Sequence, residues 1–176
     1  MNEQKTAQAL LIIDMQNDFV HPGTPVHVAG AAATVPVIRK LRESCRKHEI
    51  PVFHVIRSYS ADGLTVERAR LADFRRTPFV VPGTHGAEII AELTPEAGET
   101  IVIKPRYSAF FRTNLDLMLK RLGVERVLVS GTQYPNCIRA TVNDALSLDY
   151  AVSVITDACS AKTEAVAAAN ILDMRN

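Results

Sequence analysis

The sequence lacks the features that mark several large classes of protein. Its 176 residues hold three cysteines, widely spaced and without a C-x-x-C pair, so neither a disulfide framework nor a zinc site is indicated. The 20 basic and 19 acidic side chains leave a net charge of +1, which gives no electrostatic footprint for nucleic acid or a membrane surface. No apolar run could span a bilayer, and the polar N-terminus lacks a signal-peptide core. We therefore expect a cytoplasmic protein with a small-molecule partner and neither nucleic acid nor membrane as a ligand.

What the sequence does contain is an alternation of apolar runs and amphipathic stretches. The apolar runs predict strands at 9–13, 52–56, 100–103, 126–129 and 151–155. The amphipathic stretches predict helices at 31–48, 86–93, 113–122, 136–148 and 163–174. Residues 58–82 are less regular and read as a helical turn with long loops. Strands that are apolar throughout are typical of a parallel sheet buried on both faces. The sequence thus predicts one domain, residues 1–176, folded as a three-layer α/β/α sandwich around a doubly wound, mostly parallel sheet of five to six strands.

Three reactive side chains leave the predicted strands at the same edge of this sheet. Asp14 follows the first strand, Lys104 ends the third, and Cys137 follows the fourth after a short turn. Ligands of open α/β sheets bind beyond the carboxyl ends of the strands. We therefore expect these three residues to share a site.

Cys137 stands at the predicted start of a helix. The helix dipole and the free N–H groups of a first turn favour the thiolate, which is the nucleophilic form, and can also hold an oxyanion. On this basis the sequence predicts a thiol pKa below its ordinary value. The alternative is a buried cysteine that serves only as a small apolar side chain.

Asp14 and Lys104 have chemical roles that fit beside a thiol. A carboxylate can take the thiol proton and return it to a leaving amine, and a buried lysine can pair with that carboxylate and hold the thiolate. The alternatives are a turn or capping aspartate and a surface lysine. Asp18, within the loop, fits the capping role better than Asp14 does.

Three phrases in this order carry a resemblance to a known superfamily. They are residues 14–19 (DMQNDF) after an apolar run, residues 104–110 (KPRYSAF), and residues 131–137 (GTQYPNC) followed by RAT. The chain from about residue 10 to residue 174 resembles the isochorismatase-like cysteine hydrolases, which include nicotinamidase and N-carbamoylsarcosine amidohydrolase. The resemblance implies hydrolysis of an amide, ureido or carbamoyl C–N bond.

The resemblance also implies roles for individual residues. It implies a catalytic triad of Asp14, Lys104 and Cys137 acting through a thioester. It implies a cis peptide bond between Thr132 and Gln133, and an oxyanion hole formed by the backbone N–H groups of Gln133 and Cys137. It further implies self-association as a dimer or tetramer.

The chain departs from nicotinamidases after the second strand. Those enzymes carry a metal-binding histidine cluster there, whereas this chain has only His54, inside the strand itself. A core histidine is the better interpretation of a lone histidine in a strand. We expect no metal and no cofactor, which disfavours nicotinamidase activity.

Aromatic and basic side chains near the three phrases are candidates for the substrate pocket. Phe19, Tyr107, Phe110 and Tyr134 resemble pocket positions of the family, although ordinary core aromatics would look the same. Arg57, Arg70 and Arg106 are candidates for binding a substrate carboxylate, against the alternative of solvated or ion-paired arginines.

Two other functions remain compatible with this sequence. One is a catalytically silent domain of the same fold, and the other is a redox-active thiol protein in which Cys159 approaches Cys137. An intact set of Asp14, Lys104 and Cys137 favours the hydrolase.

Overall fold

A computed structural model describes residues 7–175 as a parallel sheet with helices on both faces. The strands are β1 (Gln8–Ile13), β2 (Val52–Arg57), β3 (Thr100–Lys104), β4 (Arg126–Thr132) and β5 (Ala151–Ser160). The helices are α1 (Asn17–Val20), α2 (Ala31–Lys47), α3 (Arg68–Arg76), α4 (Leu115–Arg121), α5 (Arg139–Ser147) and α6 (Glu164–Asp173). The strand order is β3-β2-β1-β4-β5, and every neighbouring pair is parallel. The α/β sandwich predicted from the sequence is confirmed.

The alternating side chains of β1 face two separate cores. Leu11 and Ile13 pack on the face covered by α4, α5 and α6, while Leu10 and Ile12 pack on the face covered by α2. All four side chains are at most 2% exposed, which explains why the strand sequence is apolar without alternation. A third cluster lies under the loops and α3, and it consists of Phe19, Tyr59, Val66, Phe74, Phe79 and Val80.

The order in which strands are added to the sheet reverses between β1 and β4. From β1 the chain adds β2 and β3 on one side, and it then returns to add β4 and β5 on the other. This reversal is the topological switch point at which open α/β sheets bind ligands. Asp14 follows one of the two strands at this point, and the segment leading to Cys137 follows the other.

Three of the differences from the sequence prediction concern residues 151–155, 86–93 and 58–82. Strand β5 continues five residues beyond 155, because its last residues pair with Gly131 and Thr132 after a register shift in which the extra residues lie in β5. Residues 86–93 form two short 3₁₀ turns and not a helix, because Ile89 bridges to Gln16 across the gap. Residues 58–82 include a nine-residue helix, α3, whose single buried side chain is Phe74. A single buried apolar residue does not give α3 the repeating apolar pattern by which a helix is recognised in the sequence.

Gly131 is required where β4 passes closest to β1. Its φ is +108°, and a Cβ at this position would lie 2.1 Å from the carbonyl oxygen of Ile13. We expect Gly131→Ala to lower the free energy of unfolding by about 2–3 kcal/mol, since it adds a backbone clash to an unfavourable φ. The matched control is Gly123→Ala, where φ is +65° and no atom lies within 4 Å, and for which we expect a loss of about 1 kcal/mol. If urea unfolding gave both variants the same loss of unfolding free energy, the clash at Gly131 would be absent.

No helix within residues 7–175 combines the length and the apolar character needed to cross a membrane.

Candidate active site

The structure brings Asp14, Lys104 and Cys137 together at the carboxyl edge of the sheet. Lys104 Nζ donates a hydrogen bond to Asp14 Oδ2 at 2.8 Å and lies 3.5 Å from Cys137 Sγ. Asp14 and Lys104 are fully buried, and Cys137 is 6% exposed. Lys104 therefore touches both the carboxylate and the sulfur.

The second carboxylate oxygen of Asp14 is available for chemistry. Among the described residues, Asp14 Oδ1 is buried and accepts no hydrogen bond. The residue itself has a φ of +52°, and its backbone N–H donates to the carbonyl of Val55 on the neighbouring strand. An aspartate tolerates this conformation better than most residues do. The carboxylate is thus held by Lys104 at one oxygen and open at the other.

Cys137 lies at the start of a continuous helical segment. A single π-helical turn, Tyr134–Ile138, leads directly into α5, so the helix begins two residues earlier than predicted. Thr141 fixes this start, because its hydroxyl donates to the carbonyl of Cys137 and accepts from the N–H of Ala109. The peptide bond between Thr132 and Gln133 is cis.

The prediction of a lowered thiol pKa is wrong. Burial raises the pKa of the Cys137 thiol above its ordinary value, and the negative charge of Asp14 raises it further. The charges of Lys104 and Arg57 act in the opposite direction without cancelling this rise. The cost of burying the thiolate charge exceeds what the start of the helix supplies. Removing the proton of Cys137 therefore costs more free energy than it does for an exposed thiol, which favours a base beside the sulfur.

Arg57 is a fourth charged residue in this group. It ends β2 and is 2% exposed, and its Nη2 lies 3.5 Å from Cys137 Sγ. From the sequence, Arg57 is only a candidate for binding a substrate carboxylate. The missed signal is the same one that identified Lys104, namely a cation at the end of a buried strand.

The other two candidate arginines are occupied by groups of the protein itself. Arg106 Nη1 donates to the carbonyls of Thr65 and Pro105. Arg70 lies 3.6 Å from Glu67 and stacks over the ring of Tyr107, yet it also lines a cavity. Of the three, Arg70 is the one that remains a candidate for contact with a substrate.

That cavity, of about 420 Å³, borders the site at Gln133. Arg70, Arg76 and Lys162 contribute positive charges to its lining, and Asp73 a negative one. Cys137 does not line it. The cavity therefore borders the cis peptide bond at Gln133, and Asp14 and Lys104 are likewise absent from its lining.

The four aromatic residues predicted to line the pocket lie in different environments. Phe19 and Tyr134 belong to two separate cores, and the Tyr134 hydroxyl donates to the carbonyl of Thr156. Phe110 stacks on Tyr150 in the same core as Tyr134. Tyr107 is half-buried, with Arg57 and Arg70 over its ring. None of the four lines the cavity beside Gln133, so their role in substrate binding stays a prediction.

His54 and Asp18 have structural roles. His54 is buried in β2, as expected of a core histidine, and its Nε2 lies 2.8 Å from Glu99 Oε2. Asp18 does not cap α1; its Oδ2 accepts a hydrogen bond from the backbone of Val80, 62 residues along the chain. Within residues 7–175, no three His, Cys, Asp or Glu side chains are grouped so that they could hold a metal ion.

The fold and this group of side chains define an α/β enzyme with a buried Asp, Lys and Cys at the switch point of its sheet. Residues 8–176 match the isochorismatase-domain family. The chain belongs to this family, whose members include amidohydrolases that act on non-peptide C–N bonds.

Several relatives cover nearly the whole chain. An isochorismatase family protein from Desulfovibrio vulgaris is 54% identical, with a TM-score of 0.94 over 97% of this chain and 90% of its own. A protein of Arabidopsis thaliana described as a probable inactive nicotinamidase is 42% identical over 100% of this chain and 92% of its own. The N-carbamoylsarcosine amidase of Thermoplasma acidophilum is 30% identical, with a TM-score of 0.81 over 96% and 92%.

Proposed function

We propose that this protein hydrolyses a small amide, ureido or carbamoyl C–N bond through a thioester on Cys137. One observation carries the proposal: Lys104 contacts both the Asp14 carboxylate and the Cys137 sulfur, while Asp14 Oδ1 stays open. This places one cation in contact with both a nucleophile and a base.

The first half of the reaction forms the thioester. Asp14 takes the thiol proton as Cys137 Sγ attacks the carbonyl carbon of the substrate. The backbone N–H groups of Gln133 and Cys137 hold the oxyanion. The tetrahedral intermediate then collapses, the C–N bond breaks, and Asp14 returns the proton to the departing ammonia or amine.

The second half releases the acid. Asp14 takes a proton from water, and the oxygen attacks the thioester carbonyl. The C–S bond breaks, and the proton passes back to the Cys137 sulfur, so the enzyme returns to its resting thiol. Lys104 contacts both groups and offsets the negative charge on either of them.

A redox role for the thiol has less support. The Cys159 thiol donates to the carbonyl of Val129, and burial raises the pKa of Cys159 to about 12. A thiol with so high a pKa is a poor attacking or resolving group at neutral pH. The description of the Arabidopsis relative as inactive favours the silent alternative, which the same experiment tests.

The test is ammonia release from a panel of primary amides, ureides and N-carbamoyl amino acids. With the native protein we expect at least one compound to release ammonia. An amide should give the matching acid in equal amount, and a ureide or N-carbamoyl compound should give an equal amount of the amine and CO2 that its carbamic acid leaves. Cys137→Ser provides the background rate for every compound. Release by neither protein across the panel, together with a Cys137 that alkylates like a free thiol, would contradict the proposal.

A further inference from the structure

Arg57 contacts the Cys137 sulfur, and strand packing does not require this contact. In the order of the sheet it lies between the strand that ends at Lys104 and the strand that ends before Asp14. Its Nη2 lies 3.5 Å from Cys137 Sγ, the same distance that separates the sulfur from Lys104 Nζ. The sulfur is therefore in contact with two cations.

The guanidinium is fixed by the rest of its surroundings. Its Nη1 donates to Tyr59 Oη at 2.6 Å and to Glu67 Oε1 at 3.1 Å. Tyr59 Oη in turn donates to Glu67 Oε2 at 2.6 Å, which closes a ring of three side chains. Gln16 also exchanges two hydrogen bonds with the backbone of Arg57. Nη1 of Arg57 thus bonds Tyr59 and Glu67, while Nη2 contacts the sulfur.

Glu67 is ionised in this ring. Burial acts to raise its pKa, but the hydrogen bond from Tyr59 and the charge of Arg57 outweigh burial, so the pKa of Glu67 lies below its ordinary value. A buried arginine is best held by such a paired carboxylate. Glu67 does not contact the sulfur through any hydrogen bond found in residues 7–175, so it can act on Cys137 only through Arg57 or through its charge.

We infer that Arg57 is a further catalytic residue, which stabilises the thiolate of Cys137, and that Glu67 is the positioning residue that holds it there. Proton transfer from Cys137 to Asp14 moves a negative charge from the carboxylate to the sulfur. Lys104 contacts both atoms, so it stabilises the charge before and after the transfer. Arg57 contacts the sulfur, so it favours the state after the transfer. Only such a difference between two states speeds a step.

This inference rests on the proposed function, but its test does not need a substrate. The rate of iodoacetamide alkylation of Cys137 is measured against pH, with peptide mass spectrometry separating it from Cys45 and Cys159. For Arg57→Gln we expect the thiol pKa to rise by about one unit or more, a tenfold smaller thiolate fraction at neutral pH. Arg57→Lys keeps the charge but not the fork geometry, and we expect a smaller rise. The control is Arg139→Gln, which removes a cation two residues along the chain from Cys137 that pairs with Asp173 at 3.0 Å, and for which we expect little change.

Glu67→Gln separates positioning from charge by the sign of its effect. Removing a nearby negative charge alone would lower the thiol pKa. Releasing Arg57 from its partner would raise it, and this rise is the result we expect. With a hydrolysed compound in hand, Arg57→Gln should lower kcat by about 10–100-fold while KM stays within about twofold.

Two results would overturn the inference. One is an unchanged thiol pKa in both Arg57 variants, and the other is a raised KM with unchanged kcat, which would make Arg57 a substrate clamp. If Arg57→Gln does not fold, Arg57→Lys and Glu67→Gln decide the question by the same alkylation profile. A shifted thiol pKa without hydrolysis of any compound would contradict the proposed function and leave the contact between Arg57 and the thiolate standing.

Discussion

Cys137→Ser will abolish turnover and leave the fold intact. Oxygen in place of sulfur is a far weaker nucleophile in a site built to ionise a thiol, and loss of a nucleophile costs on the order of 10⁴-fold or more in kcat. The side chain is small and faces the charged groups of Lys104 and Arg57, so a hydroxyl can use the same partners. The unfolding midpoint should therefore shift by no more than a few degrees, which corresponds to about 1 kcal/mol.

The control for this experiment is a second cysteine. Cys159→Ser changes a thiol that is buried and bonded to a backbone carbonyl away from the candidate nucleophile. It should lose stability without loss of kcat in the folded protein. Equal loss of kcat in both variants would make the effect of Cys137→Ser structural, and the candidate nucleophile would have to be sought elsewhere.

Lys104→Met will destabilise the protein more than any surface substitution. It leaves the Asp14 carboxylate fully buried without its partner, and breaking a buried ion pair from one side costs about 3–5 kcal/mol. Methionine keeps the length and most of the volume of lysine, so the loss reports the charge. Urea unfolding at neutral pH measures it, and the same variant should raise the thiol pKa of Cys137.

A double substitution identifies the origin of this loss. Asp14→Asn combined with Lys104→Met removes both charges, and it should lose less than the sum of the two single variants. Lys120→Met is the surface control, because Lys120 forms a 2.9 Å pair with Asp116 at an exposed helix position. Its effect should be a small fraction of that of Lys104→Met. Equal effects would show that the Asp14–Lys104 pair is not buried as described.

The sequence predicts the sheet because its strands are buried on both faces and read as unbroken apolar runs. The same property makes Asp14 and Lys104 recognisable in the sequence, because a charge at the end of such a run has no role in packing. Arg57 is likewise a charged residue at the end of a buried strand, but its position in the sequence does not show whether it contacts solvent, a substrate or the sulfur. Its partner Tyr59 is two residues away in the sequence, but Glu67 and Cys137 are 10 and 80 residues away, and the fold brings them to Arg57.

The direction of the thiol pKa shows a second limit. The start of a helix is visible in the sequence, but the depth at which Cys137 is buried is not. Burial and the Asp14 charge outweigh the two cations, so the sign of the shift is opposite to the one predicted. Contacts between distant segments, such as Asp18 with Val80, are likewise set by tertiary structure and have no local pattern.

The most direct test of the account is to trap the thioester. A compound that releases ammonia is mixed with the native protein, quenched in acid during the first turnovers, and the Cys137 peptide is weighed by mass spectrometry. The account predicts a peptide heavier by the acyl group of the substrate, present in the native protein and absent from Cys137→Ser. Ammonia release that proceeds at the native rate in Cys137→Ser, with no acylated peptide in either protein, would contradict it.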